Sequence, residues 1–334
     1  MSDPLESWKA GPAKSAILDF VDRVTRLDSA DYVRPADRIS VFDNDGTLWC
    51  EQPLQVQVLF AQDRLKELAE RHPELRSKQP FKAFLEHDLK TIHDLGKRGV
   101  FGVALMVHAG MTEADFADIA STWLASATHP TLARPFTQCV FQPQLELLSY
   151  LRDHGFKTFI VSGGGIDFMR VFAEDVYGIP SEQIIGSSVK TRVENSDDHV
   201  DLLKLAELGS FDDREAKVEN IGLHIGRRPI FAFGNSDGDL SMLRYTKAGA
   251  GPRLALLLHH DDADREFAYD REFKLSPLAE ALDHAGDFGL TVVSMKHDWS
   301  AVFPEQNAWS SGATLGAGNA GMARRDHESG DPYH

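Results

Sequence analysis

Ile39-Ser40-Val41-Phe42-Asp43-Asn44-Asp45-Gly46-Thr47 passes directly from a short, largely apolar run into two carboxylates, a glycine and a hydroxyl. An apolar run of this length suits a strand buried on both faces, as in a parallel sheet covered by helices. Three more segments share the form. Thr158-Phe159-Ile160-Val161 ends in Ser162-Gly163-Gly164-Gly165, and Ile230-Phe231-Ala232-Phe233 ends in Gly234-Asn235-Ser236-Asp237-Gly238-Asp239. Residues 254–258 end in His259-His260-Asp261-Asp262. Helical stretches over 143–154 and 214–226 precede the second and third runs, and residues 13–26 place Ile17, Leu18, Val21 and Val24 on one helix side. Strands alternating with helices predict an α/β protein with a doubly wound parallel sheet. Ligands bind such sheets beyond the carboxyl ends of the strands, so the polar clusters are expected to meet in one crevice.

Between the first two runs the pattern changes. Leu54, Val58, Ala61, Leu65 and Leu68 fall at helical spacing, as do Phe81, Leu85, Leu89 and Ile92. Phe116, Ile119, Ala120, Trp123 and Leu124 make a third stripe, opened by Thr112 and Asp115 in a capping-box pattern. A single crossover needs only about a dozen residues, so this stretch is too long to be one. The expected organisation is a Rossmann-like core from 1–50 and 135–306, an α-helical cap domain inserted over 51–134, and a disordered tail over 307–334. Residues 184–203 read as a hairpin around Asn195-Ser196-Asp197-Asp198.

Composition bounds the partners. With 35 Lys and Arg against 51 Asp and Glu, the formal charge of −16 repels polyphosphate backbones and argues against nucleic acid. An anionic ligand must then be drawn in locally, by a metal ion and a few basic side chains. The two cysteines, Cys50 and Cys139, point to no disulfide framework. No apolar run approaches a membrane span, and residues 1–14 lack the pattern of a signal peptide, so the cytoplasm is the expected location.

The strand ends carry the chemistry. Asp43 and Asp45 stand two residues apart where the chain turns, so one carboxylate can attack phosphorus while the other handles a proton. A carboxylate nucleophile needs its target made electrophilic, which Mg²⁺ does while screening charge. Gly46 permits a tight turn, and Thr47 offers a hydroxyl and a backbone N–H to phosphate oxygens. The alternative for this motif is an ordinary Asp-rich turn. Ser162 and Gly163, opening what reads as a helix, make a second anion site. Lys217 lies in a helix before the third strand, where its amine can reach phosphate and the nucleophile; Lys190 and Lys204 compete for that part. Asn235 and Asp239 can supply hard oxygen ligands for Mg²⁺, against the alternative of an Asx turn capping a helix over 240–245.

Taken in order, Asp43-Asn44-Asp45-Gly46-Thr47, Ser162-Gly163, Lys217 and the run from Gly234 to Asp239 resemble the haloacid dehalogenase superfamily in its phosphatase branch. The resemblance implies Asp43 as nucleophile and metal ligand. It implies Asp45 as acid and then base, with its backbone carbonyl on Mg²⁺. Ser162 and Lys217 would hold the phosphoryl group, and Asn235 and Asp239 would complete the metal site. The helical insert resembles the cap of the phosphoserine-phosphatase-like group. Asn235 stands where such phosphatases often carry Asp, which removes one negative charge from the metal site. Asp45 points away from the metal-free dehalogenases. The expected function is Mg²⁺-dependent hydrolysis of a small phosphorylated metabolite. Phosphoryl transfer to an alcohol and a silent phosphate-binding scaffold are the alternatives.

Other polar groups read less sharply. His259 and His260 would point to opposite faces of a strand, which makes a shared metal site awkward. Arg227-Arg228 is expected in a solvated turn. Trp49 and Cys50 would line the junction of insert and sheet, and Glu51 is placed to meet a substrate amine. Arg64, Lys66, Lys90 and Arg98 are candidates for reading the far end of the substrate.

Overall fold

The computed structural model describes residues 3–195 and 199–305. The expected tail over 307–334 and the hairpin residues Ser196, Asp197 and Asp198 lie outside them. The strands are β1 (Ile39–Phe42), β2 (Lys157–Gly165), β3 (Ile184–Asn195), β4 (Val200–Ser210), β5 (Phe231–Gly234), β6 (Leu254–Asp261), β7 (Ala268–Tyr269) and β8 (Thr291–Ser294). They form one sheet in the order β4-β3-β2-β1-β5-β6-β7, with β8 also paired to β6. The pairs from β3 through β6 are parallel, while β3–β4 and β6–β7 are antiparallel. β1 is central, Phe42 standing beside Ile160 on one flank and Phe233 on the other. The chain leaves β1 toward β2 on one side and β5 on the other, so a crevice opens at this switch point.

The helices that matter to the site are α1 (Pro12–Thr25), α2 (Val56–Arg71), α3 (Phe81–Leu85), α4 (Leu89–Val107), α5 (Glu113–Ser126), α6 (Gln142–Asp153), α7 (Ile166–Arg170), α8 (Ala173–Tyr177), α9 (Glu215–Asn220) and α10 (Leu240–Lys247). Both sheet faces are buried. Along β6, Leu254, Leu256 and Leu258 enter the core with Ile17, Val21 and Val24 of α1, while Ala255 and Leu257 pack with Leu240 and Leu243 of α10. Period-two alternation on a doubly covered strand explains why the run reads as continuously apolar. No described helix is long and apolar enough to cross a membrane.

Helices α2 to α5 occupy the chain between β1 and β2 and divide between two cores. Leu65, Phe84, Ile92 and Val103 gather in a cluster of their own, joined by Tyr269 of β7 and by Phe273 and Leu275 beyond it. Phe116, Ala120 and Leu124 of α5 instead join the core of the sheet. Thr112 caps α5 as its pattern predicts, its hydroxyl oxygen accepting from Asp115 N at 3.1 Å. β4 ties the same region down through Gly110 N to Lys204 O at 2.9 Å and Lys204 N to Met111 O at 2.8 Å.

Three expectations about local structure are corrected. The stripe from Phe81 to Ile92 is two helices, broken where His87 adopts a positive φ and Asp88 caps α4 by accepting from Thr91 N at 3.2 Å. β2 does not end at Val161 but runs to Gly165 with a shift of register after Ser162, and α7 starts only at Ile166. Three successive glycines let the strand bulge rather than turn into a helix. The hairpin is longer than its sequence pattern, and its first strand also joins the sheet by pairing with β2.

Candidate active site

Lys217, on the one-turn stretch of α9, organises the crevice. Its Nζ donates to Asp43 Oδ1 at 2.7 Å, to Asp239 Oδ1 at 2.6 Å and to the Val161 carbonyl at 2.8 Å. All three of its hydrogens are thereby used, and the side chain is only 2% exposed. Burial alone would lower the pKa of Lys217, but the carboxylates of Asp239, Asp43 and Asp212 outweigh it and hold the ammonium charged. Burial, and then the charge of Asp239, push the Asp43 carboxyl up against the pull of Lys217. Asp239 goes the other way, because Lys217 more than offsets its burial. Lys190 and Lys204, the competitors for this position, are elsewhere: Lys190 pairs with Glu207 on the surface at 2.8 Å, and Lys204 pairs with Asp167.

The motif after β1 is a turn built on Asn44. Its carbonyl accepts from Thr47 N at 3.1 Å and Leu48 N at 2.8 Å, and its side-chain oxygen accepts from Tyr177 at 3.1 Å. Gly46 occupies the left-handed region at φ 77°, and a Cβ there would lie 2.1 Å from Asn235 Nδ2. Glycine is therefore required twice over at this position. Asp45 is half-buried, and its Oδ1 accepts from Trp49 Nε1 at 2.7 Å while the indole stacks on Phe172. Burial raises the Asp45 pKa even against that bond.

Asp43, Asp45, Ser162, Gly163, Lys217 and Asp239 line one cavity, so three strand ends and helix α9 meet there, while the end of β6 does not take part. Ser162 Oγ accepts from Gly164 N at 3.2 Å. Thr47 is not presented to the cavity: its N–H is used within the turn and its hydroxyl donates to Asn235 Oδ1 at 3.1 Å. Asn235 also lies behind the lining, its Nδ2 donating to Glu51 Oε1 at 2.9 Å. Asp239 Oδ2 accepts from Asn235 N, Ser236 N and Ser236 Oγ at 3.0, 3.0 and 3.1 Å, so Asp239 shapes its own loop while facing Lys217.

Glu51, expected to meet a substrate amine, instead lies with His260 in a buried layer behind the turn and does not line the cavity. Glu51 is fully buried and accepts from Asn235, from Tyr269 Oη at 3.1 Å and from Gln55 Nε2 at 2.9 Å. Burial pushes its carboxyl up to about 7. His260 Nε2 donates to the Gly46 carbonyl at 2.7 Å, and its Nδ1 faces Glu266 at 3.1 Å. Burial opposes its charge, yet Glu266 and Gly46 raise its pKa. The signal was present in the alternation of β6, where position 260 falls on the same face as the core residues Leu254, Leu256 and Leu258. His259, on the other face, pairs with Asp270 at 3.6 Å. Of the basic residues weighed on the insert, Arg64 and Lys66 pair with Glu67 and Asp63, and Lys90 and Arg98 are exposed. Lys97 is the one that lines the cavity, 3.4 Å from Asp213.

The donor set fits a hard divalent cation. Asp43 and Asp239 share one buried ammonium and Asp45 lines the same cavity, a gathering of carboxyl oxygens whose charge a cation would offset. No three His, Cys, Asp or Glu side chains among the described residues form a ready cage. Oxygen donors in small number suit Mg²⁺, which keeps several waters.

Comparison with known proteins agrees with this fold. Residues 40–244 match the family described as haloacid dehalogenase-like hydrolase. No curated protein matches the chain. A functionally unknown protein from Anaerococcus prevotii DSM 20548 superimposes with a TM-score of 0.51 at 18% identity, over 75% of this chain and 86% of that one. A protein of unknown function from Bordetella pertussis Tohama I gives 0.50 at 15% identity, over 77% and 97%. A phosphoserine phosphohydrolase-like protein from Francisella tularensis gives 0.41 at 19% identity, over 75% and 98%. With its family pattern spanning more than half of its length, the chain belongs to the haloacid dehalogenase-like hydrolases.

Proposed function

We propose that this enzyme hydrolyses a small phosphomonoester with Mg²⁺, through an aspartyl-phosphate on Asp43, beneath a cap formed by residues 51–134. The observation that carries the reading is the Lys217 ammonium, which holds Asp43 and Asp239 together from positions 174 and 22 residues away. In the first step an Asp43 carboxylate oxygen attacks phosphorus, the ester P–O bond breaks, and Asp45 gives its proton to the departing alkoxide. The raised pKa of Asp45 suits it to that task. In the second step Asp45 takes a proton from water, whose oxygen attacks the same phosphorus and returns Asp43 and inorganic phosphate. Ser162 and Gly163 would hold the phosphoryl oxygens, and Lys217, with its hydrogens on Asp43, Asp239 and Val161, would offset their charge.

Asp43, Asp239, Asn235 and the Asp45 carbonyl would hold the metal. When bound, Mg²⁺ supplies Lewis-acid polarisation of the phosphoryl group and screens its charge from Asp43. Asn235 Oδ1 already accepts from Thr47, and its second lone pair is the one left for a cation. The test is phosphate release from an aryl phosphate with Mg²⁺. Asp43→Asn and EDTA are each expected to abolish it, and sustained turnover by Asp43→Asn would overturn the nucleophile assignment.

A further inference from the structure

We infer that the alcohol released from the substrate is apolar, an arylalkyl or branched alkyl group, rather than an amino acid or a sugar. The inference rests on the phosphomonoesterase reading and narrows it. Beyond the carboxylates, the cavity is walled by Val58 of α2, Val100, Phe101 and Ala104 of α4, Phe211 just past β4, and Leu275 beyond β7. These come from four separate segments of the chain and converge over one space, with the Phe101 and Phe211 ring centroids 5.8 Å apart. The wall is therefore not the back of one amphipathic helix.

The polar groups of the lining are largely engaged with one another. Gln57 Oε1 accepts from Gly165 N at 2.6 Å, and Gln55 Nε2 donates to Glu51 at 2.9 Å and Ser276 at 3.4 Å. Lys97 faces Asp213 at 3.4 Å, and every hydrogen of Lys217 is used. No arginine lines the cavity. Firm recognition of an α-carboxylate calls for a charged fork or a free ammonium. A sugar calls for several unengaged donors and acceptors. Lys97, the lining ammonium with hydrogens to spare, already faces Asp213, and the remaining polar atoms are few, whereas an apolar group removes both itself and six wall residues from water.

Benzyl phosphate and O-phosphoserine test this well, because both release an alkoxide and differ chiefly in the group the wall would meet. Two quantities decide it on the full chain: kcat/KM of the native enzyme with Mg²⁺, and Kd for the Asp43→Asn variant. Benzyl phosphate is expected to lead by about 50-fold in both, the ratio that burying one ring supplies. Phe101→Ser is expected to narrow the kcat/KM ratio by about 5-fold, a ratio that does not depend on how much variant folds. Turnover without preference, or an unchanged ratio in Phe101→Ser, overturns the apolar class and leaves the hydrolase reading intact. Preferential binding of benzyl phosphate with no turnover of any ester upholds the pocket and overturns the hydrolase. Failure to bind or turn over either ester overturns both.

Discussion

His108 should make the fold sensitive to mild acid, and the size of the effect follows from its surroundings. Its ring is 4% exposed, stacked on Phe60 at 4.8 Å and edge-on to Phe116 at 5.0 Å. Nδ1 donates to the Ala104 carbonyl at 2.8 Å, and Nε2 is buried without a hydrogen-bond partner. Burial is the main reason its pKa falls from 6.5 to about 4, with Arg64 and Lys204 adding to it. A folded pKa below the unfolded one means that the unfolded chain binds the proton more readily. Stability is then present above about pH 6.5 and lost as pH falls toward 4. At pH 5 the unfolded chain gains about 2 kcal/mol from protonating this ring, at roughly 1.4 kcal/mol per pH unit, and the folded chain does not. Urea unfolding of the native protein and His108→Phe at pH 7.5 and pH 5 isolates this share, because other titrating groups are common to both proteins. Loss of the Ala104 bond offsets the variant equally at both values. The variant is expected to gain about 2 kcal/mol relative to the native protein on going to pH 5. A difference that stays constant between the two pH values would refute the argument.

Further expectations concern the site itself. Lys217→Met leaves Asp43 and Asp239 buried without their ammonium and should cost ~3–5 kcal/mol in urea unfolding at neutral pH; phosphate release should vanish with it. Gly46→Ala forces a Cβ against Asn235 in a left-handed turn, and should lower activity together with at least ~1–2 kcal/mol of stability. Asn235→Asp replaces the amide that donates to Glu51 with a second carboxylate, so in EDTA it should lose ~1–3 kcal/mol. The double variant Glu51→Gln with Asn235→Asp restores a donor between the two positions and should recover most of that loss by the same unfolding assay.

The arrangement of the site was legible where function depends on strand ends. Four apolar runs that stop at polar residues are a local pattern; the sheet brings three of their ends into one crevice, while the fourth puts His260 behind it. What stayed hidden depends on contacts across the chain. Glu51 follows the first motif closely, but its environment is made by Asn235 and Tyr269, 184 and 218 residues away. Ser162 and Gly163 were read as opening a helix because glycine after a strand usually ends it; here the glycines carry a bulge, and β2 continues. Thr47 carries the right chemistry in the right motif, yet the turn uses its donors internally. Arg98 was a candidate and Lys97 was not, since the non-helical Gly96 changes which helix face follows it.

The bond from the Trp49 indole to Asp45 gives the molecule an internal optical reporter. That ring is 1% exposed and stacked on Phe172, so its emission is governed by fixed protein neighbours rather than by solvent. A proton arriving at Asp45, or a phosphate group drawing its carboxylate away, changes the charge at one end of the chromophore. Occupancy of the crevice can thus be followed by fluorescence without a label, with Trp49→Phe as the blank that separates this signal from the other indoles.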